Sequence, residues 1–295
     1  MDGPLRGTLE HALGARIGRA TPVHGGDVAT SYRVELDDER VVFAKTHASP
    51  PPGFFTTEAA GLRWLAEAGA VAVPAVVAVD DGDDGTPPHL VLEWIEEGHP
   101  TASTDPQLGV ELARVHGAGA PSFGREDRRS TGSRGLPNDP CDTWAEFYAT
   151  RRLAPLARLA ADAGALPAGV IGAFGRLADG FDRVAPPVEP PARLHGDLWA
   201  GNRLVDATGR NWLIDPACFG GHREFDLAMM RLFGGFGPSC FERYAEVAPL
   251  VDGWEERVAL HQIAPLVVHA IKFGGGYVAA ASAAITRYAS AARRG

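Results

Sequence analysis

Two carboxylates and an amide lie within one short stretch of this chain. Asp197 sits in Leu194-His195-Gly196-Asp197-Leu198-Trp199-Ala200-Gly201-Asn202, and Asp215-Pro216 follows after a turn. An Asp with an Asn five residues on is a spacing used where a phosphoryl group passes to a hydroxyl. That reaction asks a protein for positioning, charge neutralisation and a group that orients the attacking hydroxyl. Asp197 can be that group. The Asp215 carboxylate and the Asn202 amide oxygen are hard ligands suited to Mg2+. Each residue alone has a plainer reading: Asp197 as a cap or turn former, Asn202 as a turn residue, Asp215 as a loop start. Their joint order and spacing is what points to phosphoryl transfer. A second chemistry, a metal held by His195 with Asp197, lacks the further His or Cys ligands of a zinc site. A hydrolase of that kind would turn over without ATP.

The elements that must position these groups can be read from pattern. Arg203–Val205 and Asn211–Ile214 around the turn Asp206–Gly209 predict a β-hairpin, which brings Asp215 back beside Asn202. Upstream, Ser31–Leu36 and Arg40–Lys45 are short β-branched and aromatic runs joined at Asp37-Asp38-Glu39. Val23-His24-Gly25-Gly26-Asp27 is a glycine turn able to open the same sheet. Between Phe55 and Ala68 the apolar residues recur at helical spacing, with Thr56 or Thr57 as the cap. Ala75–Val79 and His89–Ile95 read as two more strands. Beyond Pro100 the pattern turns helical: Gln107–His116, Asp142–Ala163, Val170–Val184, Phe225–Phe233, Phe241–Val247 and Glu255–Lys272. The expectation is an α+β chain of two lobes, a small antiparallel-sheet lobe with one helix over 1–95 and a larger, mostly helical lobe over 96–295. Serine and glycine around Gly132–Gly135 suggest a mobile surface loop. Phe233-Gly-Gly-Phe236 and Gly274-Gly-Gly276 follow helices rather than strands, so they read as helix ends and not as phosphate cradles.

Lys45 ends a strand, and Glu58 opens the helix that follows. Alone they are a solvated edge cation and an acid favoured by the helix dipole. Upstream of the Asp/Asn/Asp cluster they are the pair that orients the α- and β-phosphates of ATP. Gly25 and Gly26 lie where a nucleotide-covering turn belongs. Glu93-Trp94-Ile95 is placed as the hinge whose backbone would pair with adenine, with Glu93 and Ile95 as the pairing positions.

Composition narrows the partners. The 295 residues carry 28 Lys and Arg against 37 Asp and Glu, a net charge of −9. An acidic chain with no basic run has no electrostatic footprint for duplex nucleic acid or for an anionic membrane surface. The most apolar stretch, Val71–Val79, is short and broken by Pro74, and the N-terminus shows no signal pattern. Cys141, Cys218 and Cys240 are an odd number without CxxC spacing, as in reduced thiols. A soluble cytoplasmic protein is expected; oligomeric state leaves no mark in the sequence.

The segments Leu194–Asn202 and Asp215-Pro-Ala217, with Gly221-His222-Arg-Glu224-Phe-Asp226-Leu-Ala and Phe233-Gly-Gly-Phe236, closely resemble the fructosamine kinase (ketosamine 3-kinase) family. That family belongs to the aminoglycoside phosphotransferase and choline kinase branch of the protein-kinase-like fold. The resemblance runs from about Val23 to Tyr277, and Leu112-Ala-Arg-Val-His116 matches a helix end of these kinases. It implies ATP-dependent phosphorylation at O3 of ketosamines, on small molecules or proteins, with Mg2+. An aminoglycoside or other small-metabolite phosphotransferase is the alternative within the fold. By the same resemblance Asp197 is the base, Asn202 and Asp215 hold the metal, and Lys45 and Glu58 orient ATP. Trp199 walls the sugar site, and His222, Glu224 and His269 are substrate candidates. His195 and Asp226 support the loop. Some members carry a cysteine in the nucleotide-covering loop; here Gly25-Gly26-Asp27-Val28 stands there, which removes the basis for a redox switch.

Overall fold

The computed structural model describes residues 1–23, 29–82, 84–127, 130–131 and 135–293. Gly25 and Gly26, and most of the loop expected around Gly132–Gly135, lie outside the described residues. The chain divides into two units, Met1–Thr104 with Asn202–Ala217, and Asp105–Gly201 with Cys218–Gly295. The division therefore falls after Thr104 rather than after Ile95, and the hairpin that carries Asn202 and Asp215 groups with the first unit. Backbone bonds explain that grouping: Leu213 donates its amide to Ala72 at 2.9 Å, and Gly98 donates to Val205 at 2.8 Å.

The first unit opens with helix α1 (Gly3–Leu13), then strands β1 (Ile17–Val23), β2 (Thr30–Leu36) and β3 (Val41–Thr46). Helix α2 (Phe54–Glu67), β4 (Val76–Asp80) and β5 (His89–Glu93) follow. The five strands form one antiparallel sheet in the order β1-β2-β3-β5-β4. Period-two alternation sends neighbouring side chains to opposite faces. Val42, Ala44 and Val91 pack with Leu5, Leu9 and Leu13 of α1, whereas Leu90 and Leu92 pack with Phe55, Ala59 and Leu62 of α2. Interior strand β5 is buried on both faces, as a strand with a helix on either side must be. The same alternation puts Lys45 on the α2 face. Helix α2 starts at Gly53 in the left-handed region, without a Thr cap; Asp81 Oδ1 instead accepts the Phe55 and Thr56 amides.

The second unit takes up helix α3 (Thr104–Gly117), whose first residue belongs to the first unit, and the short pair β6 (Ser130–Thr131) and β7 (Leu136–Pro137). The stretch expected as one helix from Asp142 is α4 (Trp144–Phe147), a π-helical turn (Tyr148–Leu153) and α5 (Ala154–Asp162). Helix α6 (Ala168–Asp179) and strand β8 (Ala192–Leu194) come next. In the first unit β9 (Arg203–Val205) and β10 (Asn211–Leu213) form the expected hairpin. The second unit resumes with β11 (Phe219–Gly221), paired antiparallel to β8, and α7 (Glu224–Phe233), α8 (Pro238–Val247), α9 (Trp254–His261), α10 (Ile263–Phe273) and α11 (Gly276–Ala291). Its core gathers Phe147, Tyr148, Phe174, Phe181, Phe219, Ile263 and Ile285. No helix among the described residues is long and apolar enough to cross a membrane.

Candidate active site

The first unit holds one cation between two carboxylates. Lys45 Nζ donates to Glu58 Oε1 at 2.9 Å and also bonds Asp215 Oδ1. Sheet alternation aims Lys45 at α2, and Glu58, in the second turn of that helix, meets it. Both ends are largely buried, at 11% and 13% side-chain exposure, so the pair is better shielded from solvent than an ordinary surface ion pair. The hairpin brings the other acid in: Ile214 donates its amide to the Asn202 carbonyl at 3.0 Å, which sets Asp215 next to Asn202. Asp215 has φ 53, a left-handed conformation that Asp tolerates better than most residues. Asn202 is buried, and its Nδ2 donates to the Asp215 backbone carbonyl at 3.5 Å. Glu93 closes β5 with its amide donated to Ala75 and its carboxylate accepting the Ala75 amide. Ile95 is buried beyond the end of that strand.

The second unit builds the loop that carries Asp197. Asp226, in the first turn of α7 and fully buried, accepts the His195 amide at 2.8 Å through Oδ2 and the Gly196 amide at 2.9 Å through Oδ1. Gly196 has φ 82, where a side chain would be strained. His195 is buried and its Nδ1 accepts the Asp197 amide at 3.3 Å. Its ring therefore shapes the loop, with one nitrogen already used and not offered to a metal. Behind Asp226 lies His116, at the end of α3. His116 Nε2 donates to Asp226 Oδ2 at 3.2 Å, which in the neutral ring leaves Nδ1 to accept the Tyr244 hydroxyl at 2.8 Å. All three side chains are buried.

Trp199 is 39% exposed and stacks edge-on against Phe233, with ring centroids 5.8 Å apart. Phe233 in turn lies 5.2 Å from the ring of His269. These surface rings contrast with His222 and Glu224, each 1% exposed. Glu224 Oε1 and Oε2 accept from Arg257 at 2.6 and 2.9 Å, and His261 Nε2 lies 3.3 Å from Glu224 Oε2. His222 Nδ1 accepts the Glu224 amide, and its Nε2 donates to the Pro187 carbonyl at 3.2 Å. His222 and Glu224, expected as substrate candidates, instead have their polar side-chain atoms bonded inside the helical unit. His222, Glu224 and His261 do have ligand atoms within 4.8 Å of one another. With Arg257 on both carboxylate oxygens, they form a buried ionic cluster. Burial opposes the charge on Glu224, but Arg257 and His261 outweigh it and hold the carboxyl down at about 2. Burial first, and His261 second, hold the His222 imidazole down at about 4.

An antiparallel sheet with a Lys–Glu pair, followed by a clamped H-G-D loop and an Asn/Asp hairpin, defines a kinase-like phosphotransferase. A family model described as fructosamine kinase matches residues 5–291. The chain belongs to the fructosamine kinase family. It is 34% identical over 264 residues to a probable ketoamine kinase of Enterococcus faecium, covering 88% of this chain and 91% of that one. It is 38% identical to a solved candidate fructosamine-3-kinase of Thermobifida fusca, with a TM-score of 0.86 and 99% of each chain covered. A solved aminoglycoside phosphotransferase shares the fold at TM-score 0.64 and 14% identity, over 98% of this chain and 99% of that one.

Proposed function

We propose that this protein transfers the γ-phosphoryl group of ATP to O3 of a ketosamine. The observation that carries the reading is the loop in which Asp226 holds the His195 and Gly196 amides, with Asp197 next in the chain. An aspartate on a loop fixed in this way can take the proton of the acceptor hydroxyl without first being ordered. Lys45, kept extended by Glu58, is the cation for the α- and β-phosphates. The Asp215 carboxylate and the Asn202 amide oxygen fit a divalent ion of the Mg2+ kind, since both are hard oxygen donors next to each other on the hairpin. Such an ion would neutralise charge on the phosphates. The relatives named as ketoamine kinases favour a ketosamine acceptor over an aminoglycoside. A cytoplasmic setting belongs to this reading, on an odd number of cysteines without CxxC spacing. Small-molecule and protein-bound ketosamines are both within this reading.

Turnover of ATP across a panel of ketosamines and aminoglycosides tests it, with Asp197→Asn alongside. The variant is expected to keep ATP binding and lose about 10²–10⁴-fold in kcat. ATP consumption on aminoglycosides alone, or near-normal kcat in the variant, would overturn the reading.

A further inference from the structure

We infer that a ledge of aromatic rings on the helical unit holds the amine half of the substrate, and that it favours ketosamines whose amine carries an aromatic or hydrocarbon group. The inference rests on the ketosamine reading above. The rings run in series within the second unit. Trp199 meets Phe233 at 5.8 Å between centroids, Phe233 meets His269 at 5.2 Å, and His269 meets Tyr277 at 5.0 Å and Phe273 at 5.6 Å. The series starts two residues after Asp197 and ends on α10 and α11.

Exposure separates these rings from the core. Trp199 and Phe233 are each 39% exposed, and Phe273 is 52% exposed. Among the described residues the other exposed large apolar ones, Val77, Val188, Val247 and Val251, are aliphatic. A contiguous exposed apolar patch beside a reactive loop calls for a ligand more than scattered valines do. The backbone places two of the rings by the same device. Phe233 ends α7 before Gly234 and Gly235, and Phe273 ends α10 before Gly274 and Gly275. All four glycines have positive φ, from 57 to 89, so each helix stops directly after its phenylalanine. A Cβ at Gly235 would also overlap Ala200, which backs this loop against the segment following Asp197.

The chemistry of the ledge matches an amine with a carbon substituent. A ketosamine nitrogen is a secondary amine that carries a proton near neutral pH, and a cation over a ring face is attracted by the ring quadrupole. His269 Nδ1 donates to the Pro265 carbonyl at 2.8 Å, so in the neutral ring Nε2 is an acceptor able to receive an ammonium N–H. Phe273 has Lys272 Nζ 4.9 Å from its centroid on one side and its remaining surface for a hydrocarbon group.

The test compares fructose adducts of benzylamine and of glycine, with Phe273→Ser as the variant. The protein should prefer the benzylamine adduct in kcat/KM by about tenfold, the upper range for one aromatic contact. Phe273→Ser should bring that ratio down toward one, with kcat for either adduct less affected than KM. A thermal melt of the variant checks folding. If it does not fold, competition of free benzylamine against free glycine on the unaltered protein reads the same preference. Equal kcat/KM for the two adducts, or a preference that survives Phe273→Ser, overturns the ledge and leaves the kinase reading intact. If neither adduct drives ATP consumption, the ketosamine reading falls, and the ledge with it.

Discussion

Asp226 fixes the backbone of His195: its buried Oδ2 accepts the His195 amide at 2.8 Å while Oδ1 takes the next amide, from Gly196, at 2.9 Å. A carboxylate that accepts two backbone N–H groups makes charge-assisted bonds, among the stronger hydrogen bonds of a fold. Here it holds a loop to a helix thirty residues away in the chain, with His116 and Tyr244 in line behind it. Asp226→Asn offers one acceptor and one donor where two acceptors are needed, so neither flip of the amide satisfies both N–H groups. The expected cost is about 1–3 kcal/mol in stability. The kcat should fall while KM for ATP stays close to normal. Urea unfolding and steady-state kinetics on one preparation check both. A variant with lowered stability and unchanged kcat would show that the clamp serves the fold and not the loop.

Lys45 divides its charge between Glu58 and Asp215, so the two acids should respond differently to neutralisation. Lys45→Met is expected to lower kcat/KM for ATP by about a hundredfold or more, the scale for losing one placed donor to a phosphoryl group. Glu58→Gln should lose less, because Asp215 still holds the ammonium. Asp215→Asn is the cleaner probe of metal binding, since Asn tolerates φ 53 as Asp does and Ala would add backbone strain. It should raise the Mg2+ concentration needed for half-maximal rate. An unchanged Mg2+ dependence would move the metal off this hairpin.

The His222–Glu224–His261 cluster predicts a pH dependence of stability. His222 is held down at about 4 in the fold, against an ordinary value of 6.5 when the chain unfolds. The unfolded chain therefore takes up a proton first, and stability falls as pH drops from 6.5 toward 4. A shift of that size corresponds to roughly 3 kcal/mol over the whole window. Burial pushes His261 in the same direction, so it adds to the loss. Glu224, held at about 2, protects against acid at lower pH: its contribution is complete above 4.5 and fades between 4.5 and 2. Denaturation midpoints at pH 7.5, 6 and 5 should decline, and His222→Asn, which keeps an acceptor for the Glu224 amide, should flatten the decline. A wild-type midpoint constant across that range contradicts the assignment.

Much of this arrangement was legible beforehand, and the parts that were not have physical causes. Strands β2 to β5, α2 and the hairpin are legible through β-branched runs, helical spacing and a polar turn, whereas β1, with Gly18 and Pro22 in its run, is not. Helix α1 went unread although Asp2 caps it and Leu5, Leu9 and Leu13 recur every four residues. Its polar and glycine residues dilute the pattern. Helix α11 was missed because its buried face includes Ala281, Ala284 and Ala289, and alanine marks a core face weakly. In the site, Lys45 and Glu58 could be paired from the sequence because β3 and α2 are neighbours in the chain. His116 and Arg257 could not, since their partners Asp226 and Glu224 are brought to them only by helix packing, as Tyr244 is to His116. The same long-range packing is why His222 and Glu224, polar residues in a motif, ended up in the interior.

Gly201 offers a way to move Trp199 without removing it. The indole lies directly over Gly201, and a Cβ there would overlap the carbons of its six-membered ring. Gly201 therefore fixes where the ring lies, and Gly201→Ala must push it aside. Trp199 is 39% exposed, so the displaced ring loses little burial and the melting temperature should fall by no more than a few degrees. If the indole forms a wall of the sugar site, a displaced ring offers the acceptor the wrong face. KM for a ketosamine should then rise severalfold, with KM for ATP unchanged. Trp199→Ala should raise KM by a similar factor, and the double variant should add little, because both changes disable one contact. Additive effects would mean that Gly201 acts on the Asp197 loop by a separate route. A ketosamine KM unmoved in either single variant would take Trp199 out of the substrate site.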